Sequence, residues 1–312
     1  MMGGSAADSM VDDLHVLLAR TIDLVLEVTG TDAAWNMPSR YSQAGTELIA
    51  EESRRPDPLM GSWPWLMAPM AARWALCLAV EEATGFRGVL NAETTSYAAD
   101  VLCRAVLESS SLAWWLLDPT IDSEKRLARS LLYRYCTARQ TKSAIGHLGL
   151  GPEEDQSEYG ELPEEVRDEV RNLGLTWTEA RGRQGPACEE ESWPSRTDRV
   201  AELVRHFWPQ PKLPYAVLCA VSHAELLGLT RSLTRLSGKT QRLPSVEATS
   251  SWPVTDPTGV WLWHDAYLVL GALVFSAERA ATFLDAKHHV SALQALKTEL
   301  DHALPALRPH LP

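Results

Sequence analysis

Two charged side chains stand four residues apart in one of the most apolar helical stretches of the chain. Arg104 and Glu108 lie within 98–118, where most other residues are apolar and the stretch closes on Trp114 and Trp115. Residues four apart on a helix share a face, so the two can form an ion pair. Such a pair is a solvated surface stripe, a buried structural network, or part of a functional site. Because the neighbouring faces are apolar, we expect a buried polar centre that needs further partners.

Two histidines in mid-helix could bring acid–base chemistry to that centre. His223 follows Ser222 in one apolar segment, and His264 precedes Asp265 in another. If the helices meet, Glu108 would raise the pKa of a histidine and prepare it for proton transfer. A lone histidine on an apolar helix face is more commonly a core residue without chemistry. The candidate catalytic residues are Glu108, His223, His264 and Asp265.

Aromatic residues near the centre predict a cavity for an apolar small molecule. The chain contains 12 tryptophans, and aromatic walls with a few polar tips are typical of ligand sites. The next helix is rich in arginine, so Arg126, Arg129 and Arg134 could complete the centre. The candidate binding residues are Arg104, Trp114, Trp115, Arg134, Ser222, Trp261 and Trp263.

The spacing of metal-ligating residues predicts neither a metal site nor a bound cofactor. The pattern His-Glu-x-x-His is absent, as are the phosphate-binding glycine loops and the G-x-S-x-G turn of hydrolases. Five cysteines occur without a C-x-x-C pair, which excludes a zinc ribbon and a redox dithiol. A reducing compartment is the simplest setting for these thiols.

Charge and composition limit the classes of partner that the chain is expected to bind. The 312 residues are 45% hydrophobic and 22% charged, and the formal net charge is −12. Such values are typical of a globular protein with no general attraction to nucleic acid or anionic membranes. The first residues lack the basic start of a secretory signal, and apolar runs such as 266–276 are too short to span a bilayer. We expect a cytoplasmic protein, for which a homodimer is possible.

The apolar spacing is helical almost throughout, and no convincing strand pattern is found. We therefore expect a single all-α domain over 1–312, a multi-helix bundle of long helices. Residues 151–200 are acidic and rich in helix breakers, which predicts a surface insertion with one short helix at 163–173. Residues 238–257 predict a long exposed loop. The other expected helices are 9–29, 43–54, 64–84, 91–117, 123–147, 197–208, 213–237, 258–288 and 291–305.

Three segments within 95–235 carry a family resemblance. RAVLESSSLAWWLLDP, EKRLARSLLYR and YAVLCAVSHAELLG resemble segments of a loose group of uncharacterised helical bacterial proteins, especially actinobacterial ones. That group shows an Arg-x-x-x-Glu helix, an arginine-rich helix and a later Ser/His helix. The matching residues here are Arg104, Glu108, Arg126, Arg129, Ser222 and His223.

Some helical proteins of this general appearance resemble the HEPN group of toxin and phage-defence RNases. The hallmark of that group is an arginine followed four to six residues later by a histidine. This chain departs from it, because Arg139 and His147 are eight residues apart and Arg205 and His206 are adjacent. The acidic net charge also disfavours an RNA substrate.

Three classes of function follow from these residues. The first is a helical ligand-binding or interaction protein whose polar centre is structural or recognises an apolar small molecule. The second is an enzyme in which Glu108, His223 and His264 transfer protons on an apolar substrate in a tryptophan-lined cavity. The third is a HEPN-like RNase. A pocket above roughly 300 Å³ with convergent polar groups, lined by Trp114, Trp115, Trp261 or Trp263, would favour the first two.

Overall fold

Helices make up nearly all of the structure, as the apolar periodicity predicts. The computed structural model describes residues 4–30, 32–54, 66–90, 96–148, 153–179, 185–222 and 257–307. Within these ranges the helices are α1 (Gly4–Gly30), α2 (Asp32–Asn36), α3 (Gln43–Arg54), α4 (Met67–Leu90), α5 (Ser96–Leu116), α6 (Ser123–Leu148), α7 (Glu153–Asn172), α8 (Arg196–Val204), α9 (Leu213–Ser222), α10 (Pro257–Phe283) and α11 (Lys287–Leu307). The fold class is the all-α, multi-helix bundle expected from the sequence.

Helix α10 lies at the centre of the main core and packs against α1, α4, α5, α8 and α11. Its segment His264–Phe283 is long and apolar enough to cross a membrane, and 78% of that segment is buried inside the fold. The core helix of a soluble protein meets the same criterion, so this burial is compatible with a soluble protein.

Helices α4 and α5 form the most extensive helix pair of the bundle. Alanines at positions 72, 75, 79 and 83 give α4 a small-residue face that is almost fully buried. Small side chains let two helices approach closely, so the polar groups of α4 and α5 can come within reach of one another. This pair positions two of the carboxyl groups described below.

Several helix ends differ from the predicted ones, and two of them have a clear physical reason. Helix α4 continues to Leu90 rather than ending before Gly85. Its buried face extends to Phe86 and outweighs the helix cost of two glycines, about 1 kcal/mol each. Helix α10 ends at Phe283 because Asp285 adopts a positive φ of 58°. The Ala286 amide then donates to the Ala281 carbonyl at 2.8 Å, which is the Schellman ending of a helix.

The acidic segment 153–192 is anchored on α6 by a second, smaller core. Helix α7 is longer than the predicted 163–173 and contains Pro163. Three two-residue strands follow in antiparallel order: β1 (Trp177–Thr178), β2 (Ala187–Cys188) and β3 (Glu191–Ser192). Side chains from this segment and from α6 share the core, among them Val166, Val170, Cys188, Leu127, Leu131 and Tyr135.

The sequence analysis missed these strands because their turn lacks the usual residues. Glu189 and Glu190 connect β2 to β3 with positive φ angles of 46° and 66°. Two positive φ angles are typical of a type I′ hairpin, which Asn-Gly normally occupies. The predicted loop at 238–257, apart from Pro257 in α10, lies outside the described residues, as does 223–237 of the predicted helix 213–237.

Candidate functional site: the Glu108 centre

The predicted ion pair forms on α5. Arg104 Nε donates to Glu108 Oε1 at 2.8 Å, and the two side chains are 17% and 22% exposed. These fractions exclude a fully solvated stripe. Ser111, on the next turn, donates from its hydroxyl to the Glu108 carbonyl oxygen at 2.9 Å. The pair is therefore part of a largely buried polar centre.

Helices α8 and α9 supply the further partners. The Tyr215 hydroxyl donates to Glu108 Oε1 at 2.7 Å, and Arg196 Nη1 lies 3.4 Å from Glu108 Oε2. Arg199 Nε donates to Ser111 Oγ at 3.3 Å. We name the Glu108 centre for the residues Glu82, Arg104, Glu108, Ser111, Arg196, Arg199 and Tyr215.

Arg199 is the most buried cation of the Glu108 centre. The residue is only 6% exposed, and its Nη1 is a buried nitrogen without a hydrogen-bond partner. Burial lowers the pKa of its guanidinium to about 10, so the group is still charged at neutral pH. The guanidinium group lies over the Trp193 ring, with 5.1 Å between the guanidinium carbon and the ring centroid. The Nη1 nitrogen is the point at which the centre can donate a hydrogen bond to an additional oxygen atom.

Glu82 brings a second carboxyl group from α4. Burial raises its pKa to about 7, a hydrogen bond with Ser109 opposes this shift, and the charges of Glu108 and Glu81 add to it. Its Oε2 is buried and has no hydrogen-bond partner. Near neutral pH a large share of Glu82 is therefore protonated, and the three guanidinium groups of the centre outweigh its negative charge.

Tyr215 is held in its protonated form. Burial raises the pKa of its hydroxyl, and the hydrogen bond to Glu108 and the negative charge of Glu108 raise it further. The phenol therefore acts as a hydrogen-bond donor that orients the Glu108 carboxylate. The Arg104 guanidinium lies 5.8 Å from the Tyr215 ring centroid, so one side chain of α9 supports both members of the α5 pair.

The arginines of α6 lie in other networks than the Glu108 centre that the sequence analysis expected. Their carboxylate partners come from α3, β3 and α7, so they fasten these elements to the bundle. The pairs are Arg126 with Glu47 at 2.9 Å, Arg129 with Glu191 at 2.7 Å, and Arg134 with Glu169 at 2.5 Å.

His264 and Asp265 belong to α10 and are buried against a different face of α5 from the one that carries Glu108. His264 Nδ1 lies 3.2 Å from Asp265 Oδ1, and the imidazole stands edge-on to the Trp208 ring at 4.8 Å between centroids. Cys103 Sγ donates to the Asp265 carbonyl oxygen at 3.6 Å. Because Cys103 and Glu108 are separated by about 140° around the helix, this pair approaches α5 from a different direction than Tyr215 and Arg199.

The remaining candidates are distributed around the bundle. Ser222 donates to the Leu218 carbonyl of its own helix at 2.9 Å. Trp115 stands edge-on to Trp193 at 5.4 Å between centroids, which places it near Arg199. His223 and the side chains of Trp261 and Trp263 lie outside the described residues.

Trp114 lines a cavity between the end of α5 and α10, which we name the Trp114 cavity. It has a volume of about 150 Å³, and Leu117, Phe275 and Phe283 contribute apolar walls while Arg279 contributes a cation. This volume is below the roughly 300 Å³ expected of a drug-sized ligand site. The Trp114 cavity therefore does not meet the volume criterion, and the ligand pocket stays a prediction.

Sequence reasoning missed Glu82, Arg196, Arg199 and Tyr215. The signal for Glu82 was a carboxylate pair, Glu81-Glu82, inside the apolar run of α4. Arg199 lies in the first turn of α8, whose cap is the Ser195 hydroxyl, and an arginine there looks like a surface residue. Tyr215 lies in the segment already noted for Ser222, and seven residues place the two near one face of a helix.

No group of three or more His, Cys, Asp and Glu residues able to hold a metal ion occurs among the described residues. No protein-family model, no curated protein and no solved structure matches this chain. The geometry of the Glu108 centre is therefore the basis for assigning a function.

Proposed function

We propose that the protein binds a small organic anion and that the Glu108 centre receives the carboxylate or phosphate group of that ligand. The observation that carries the proposal is the buried Arg199 Nη1, which has no acceptor. A buried donor without a partner costs about 1–3 kcal/mol. A ligand oxygen at this nitrogen would recover that free energy on binding.

Charge and access support the same ligand class. Arg104, Arg196 and Arg199 surround the Glu108 carboxylate, so the centre retains positive charge after Glu108 is neutralised. Arg196 is 52% exposed and offers a route from solvent. Guanidinium groups bind carboxylate and phosphate through two parallel hydrogen bonds.

The surroundings of Arg199 suit a ligand with an apolar or aromatic body. Trp193, which the Arg199 guanidinium covers, stacks against Tyr133 at 6.2 Å between centroids and meets the edge of Trp115 at 5.4 Å. Aromatic faces beside a cation are a common wall for planar ligands. The proposed ligand is therefore an anion with an apolar body, whereas the sequence analysis expected a purely apolar small molecule.

Native mass spectrometry of purified protein, followed by extraction and identification of bound compounds, tests the proposal. The variant Arg199→Met removes the charge and retains an unbranched side chain. The matched control is Arg205→Gln, whose arginine is 61% exposed and pairs with Glu202. We expect wild type and control to carry an anionic compound that Arg199→Met loses. If all three proteins carry the same compound, or none carries any, the proposal is wrong.

A second candidate function, favoured by Glu82, is acid–base catalysis on the bound anion. Its raised pKa of about 7 lets it give or take a proton near neutral pH, and the charge of Glu108 lies close by. Glu82 would then act as the acid and Glu108 would orient the ligand through Tyr215 and the arginines. The same extraction tests this role, because a Glu82→Gln variant would accumulate a bound compound that wild-type protein converts.

A further inference from the structure

We infer that the Trp114 cavity is a second binding site, separate from the Glu108 centre, for a flat aromatic ring that carries one carboxylate. The cavity lies between the C-terminal end of α5 and the last turns of α10. The walls, the volume and the charge of the cavity limit the shape, the size and the charge of the ligand, so only a narrow chemical class fits.

The volume limits the ligand to about one six-membered ring. The cavity measures about 150 Å³, and an engineered apolar cavity of roughly this size in another protein holds benzene. The walls match a ring, because Trp114, Phe275 and Phe283 are aromatic and Leu117 is aliphatic. Aromatic rings prefer offset or edge-to-face contacts with one another, which these walls provide.

Arg279 supplies a cation that, among the described residues, is not held in a close ion pair. Its Nη1 donates to the Trp114 carbonyl oxygen at 2.7 Å, and its guanidinium carbon lies 3.1 Å from the Trp114 ring centroid. In the part of the chain that the structure describes, no carboxylate forms a close ion pair with it, and the charges of Asp118 and Glu202 act on it from further away. Burial lowers its pKa to about 10, so it is a cation at neutral pH. A guanidinium has five N–H donors, and several are left to bind a carboxylate.

The one acidic wall residue does not compete for Arg279. Glu278 Oε2 accepts from Lys297 Nζ at 2.8 Å, and Lys297 Nζ also lies 4.1 Å from the Phe275 ring centroid. The Lys297 charge thus balances Glu278 and leaves the Arg279 charge for the ligand. A cationic ligand would face both basic residues, so the cavity selects against it.

Calorimetric titration of the purified protein with benzoate tests this inference. Benzamide has the same size and no charge, so we expect it to bind at least about tenfold more weakly, as the loss of one charge-assisted pairing predicts. Arg279→Met should abolish benzoate binding. Thr282→Trp provides a variant that leaves Arg279 in place, because Thr282 lies at the exposed edge of the cavity and an indole there would fill it.

Three outcomes would overturn the inference. The first is that wild-type protein shows no benzoate binding. The second is equal binding of benzoate and benzamide, which would remove the role of Arg279. The third is loss of benzoate binding in Arg199→Met, which would assign the benzoate to the Glu108 centre. Binding that persists in Arg199→Met and is lost in Thr282→Trp supports a separate site.

Discussion

Arg126 and Arg199 are buried in the same bundle and stack on similar rings, but they differ in how their nitrogens are satisfied. Arg126 is fully buried and lies 4.9 Å from the Phe283 ring centroid, while Arg199 is 6% exposed and lies 5.1 Å from the Trp193 ring centroid. Burial and aromatic stacking are therefore nearly constant between the two. The number of hydrogen-bond acceptors is what separates them.

Every nitrogen of Arg126 has an acceptor. Nε and Nη2 donate to the two carboxylate oxygens of Glu47 at 2.9 and 3.1 Å, and Nη1 donates to the Leu116 carbonyl at 2.6 Å. Nη2 also donates to the Asp118 carbonyl at 2.9 Å. Among the described residues Arg199 has one hydrogen-bond acceptor, the Ser111 hydroxyl at 3.3 Å. A buried arginine whose nitrogens all have acceptors holds the fold together. A buried arginine with an unpaired nitrogen leaves a hydrogen-bond donor for a ligand.

The largest effect is expected from Arg126→Met. It removes the guanidinium that binds both carboxylate oxygens of Glu47, a residue only 8% exposed, and it removes the donor to three carbonyl groups. Breaking a buried ion pair on one side costs about 3–5 kcal/mol. The unfolding free energy from urea titration, followed by circular dichroism, measures this loss.

Arg139→Gln is the matched control for that prediction, because Arg139 is an exposed arginine of the same helix. A surface substitution of this kind changes stability by about 0.5 kcal/mol or less. Equal losses in the two variants would show that the Arg126 network does not stabilise the fold.

A smaller, pH-dependent effect is expected from Glu82→Gln in the Glu108 centre. The folded pKa of about 7 exceeds the ordinary glutamate pKa of 4.5, so the folded chain keeps a proton that the unfolded chain releases. The stability contributed by Glu82 is complete below about pH 4.5 and is lost as the pH rises to about 7. Glutamine does not titrate, so Glu82→Gln should become more stable relative to wild type across this range.

Melting temperatures measured in steps of pH across that range test the Glu82 prediction. Glu81→Gln is the control, because Glu81 is the exposed neighbour on the same helix. The melting temperature of Glu81→Gln should change with pH in parallel with that of wild type. If the Glu82→Gln profile is also parallel to wild type, Glu82 is not a protonated member of the centre.

The sequence could predict what depends on spacing within one helix. The Arg104–Glu108 pair follows from a separation of four residues, and the structure forms it at 2.8 Å. The long helices follow from the apolar period. These features need only the geometry of a single helix.

Partners on other helices could not be read from spacing. Arg126 pairs with Glu47, 79 residues away, although Glu108 was an equally acceptable carboxylate by sequence. Glu81 and Glu82 are adjacent in the chain, yet one is exposed and the other has its pKa raised by burial. The rotation of each helix about its axis decides between such alternatives, and local sequence does not contain that rotation.

The smallest change in stability is expected from Arg199→Met, which makes the same chemical change as Arg126→Met. Here no carboxylate loses its only cation, because Glu108 keeps Arg104, Arg196 and Tyr215. Replacing an incompletely paired buried charge by an apolar side chain is commonly neutral or stabilising, so we expect a shift within about 1 kcal/mol of zero. Urea titration under the conditions used for Arg126→Met measures it. A loss as large as that of Arg126→Met would mean that Arg199 is a second structural arginine, and its free Nη1 would then no longer indicate a ligand.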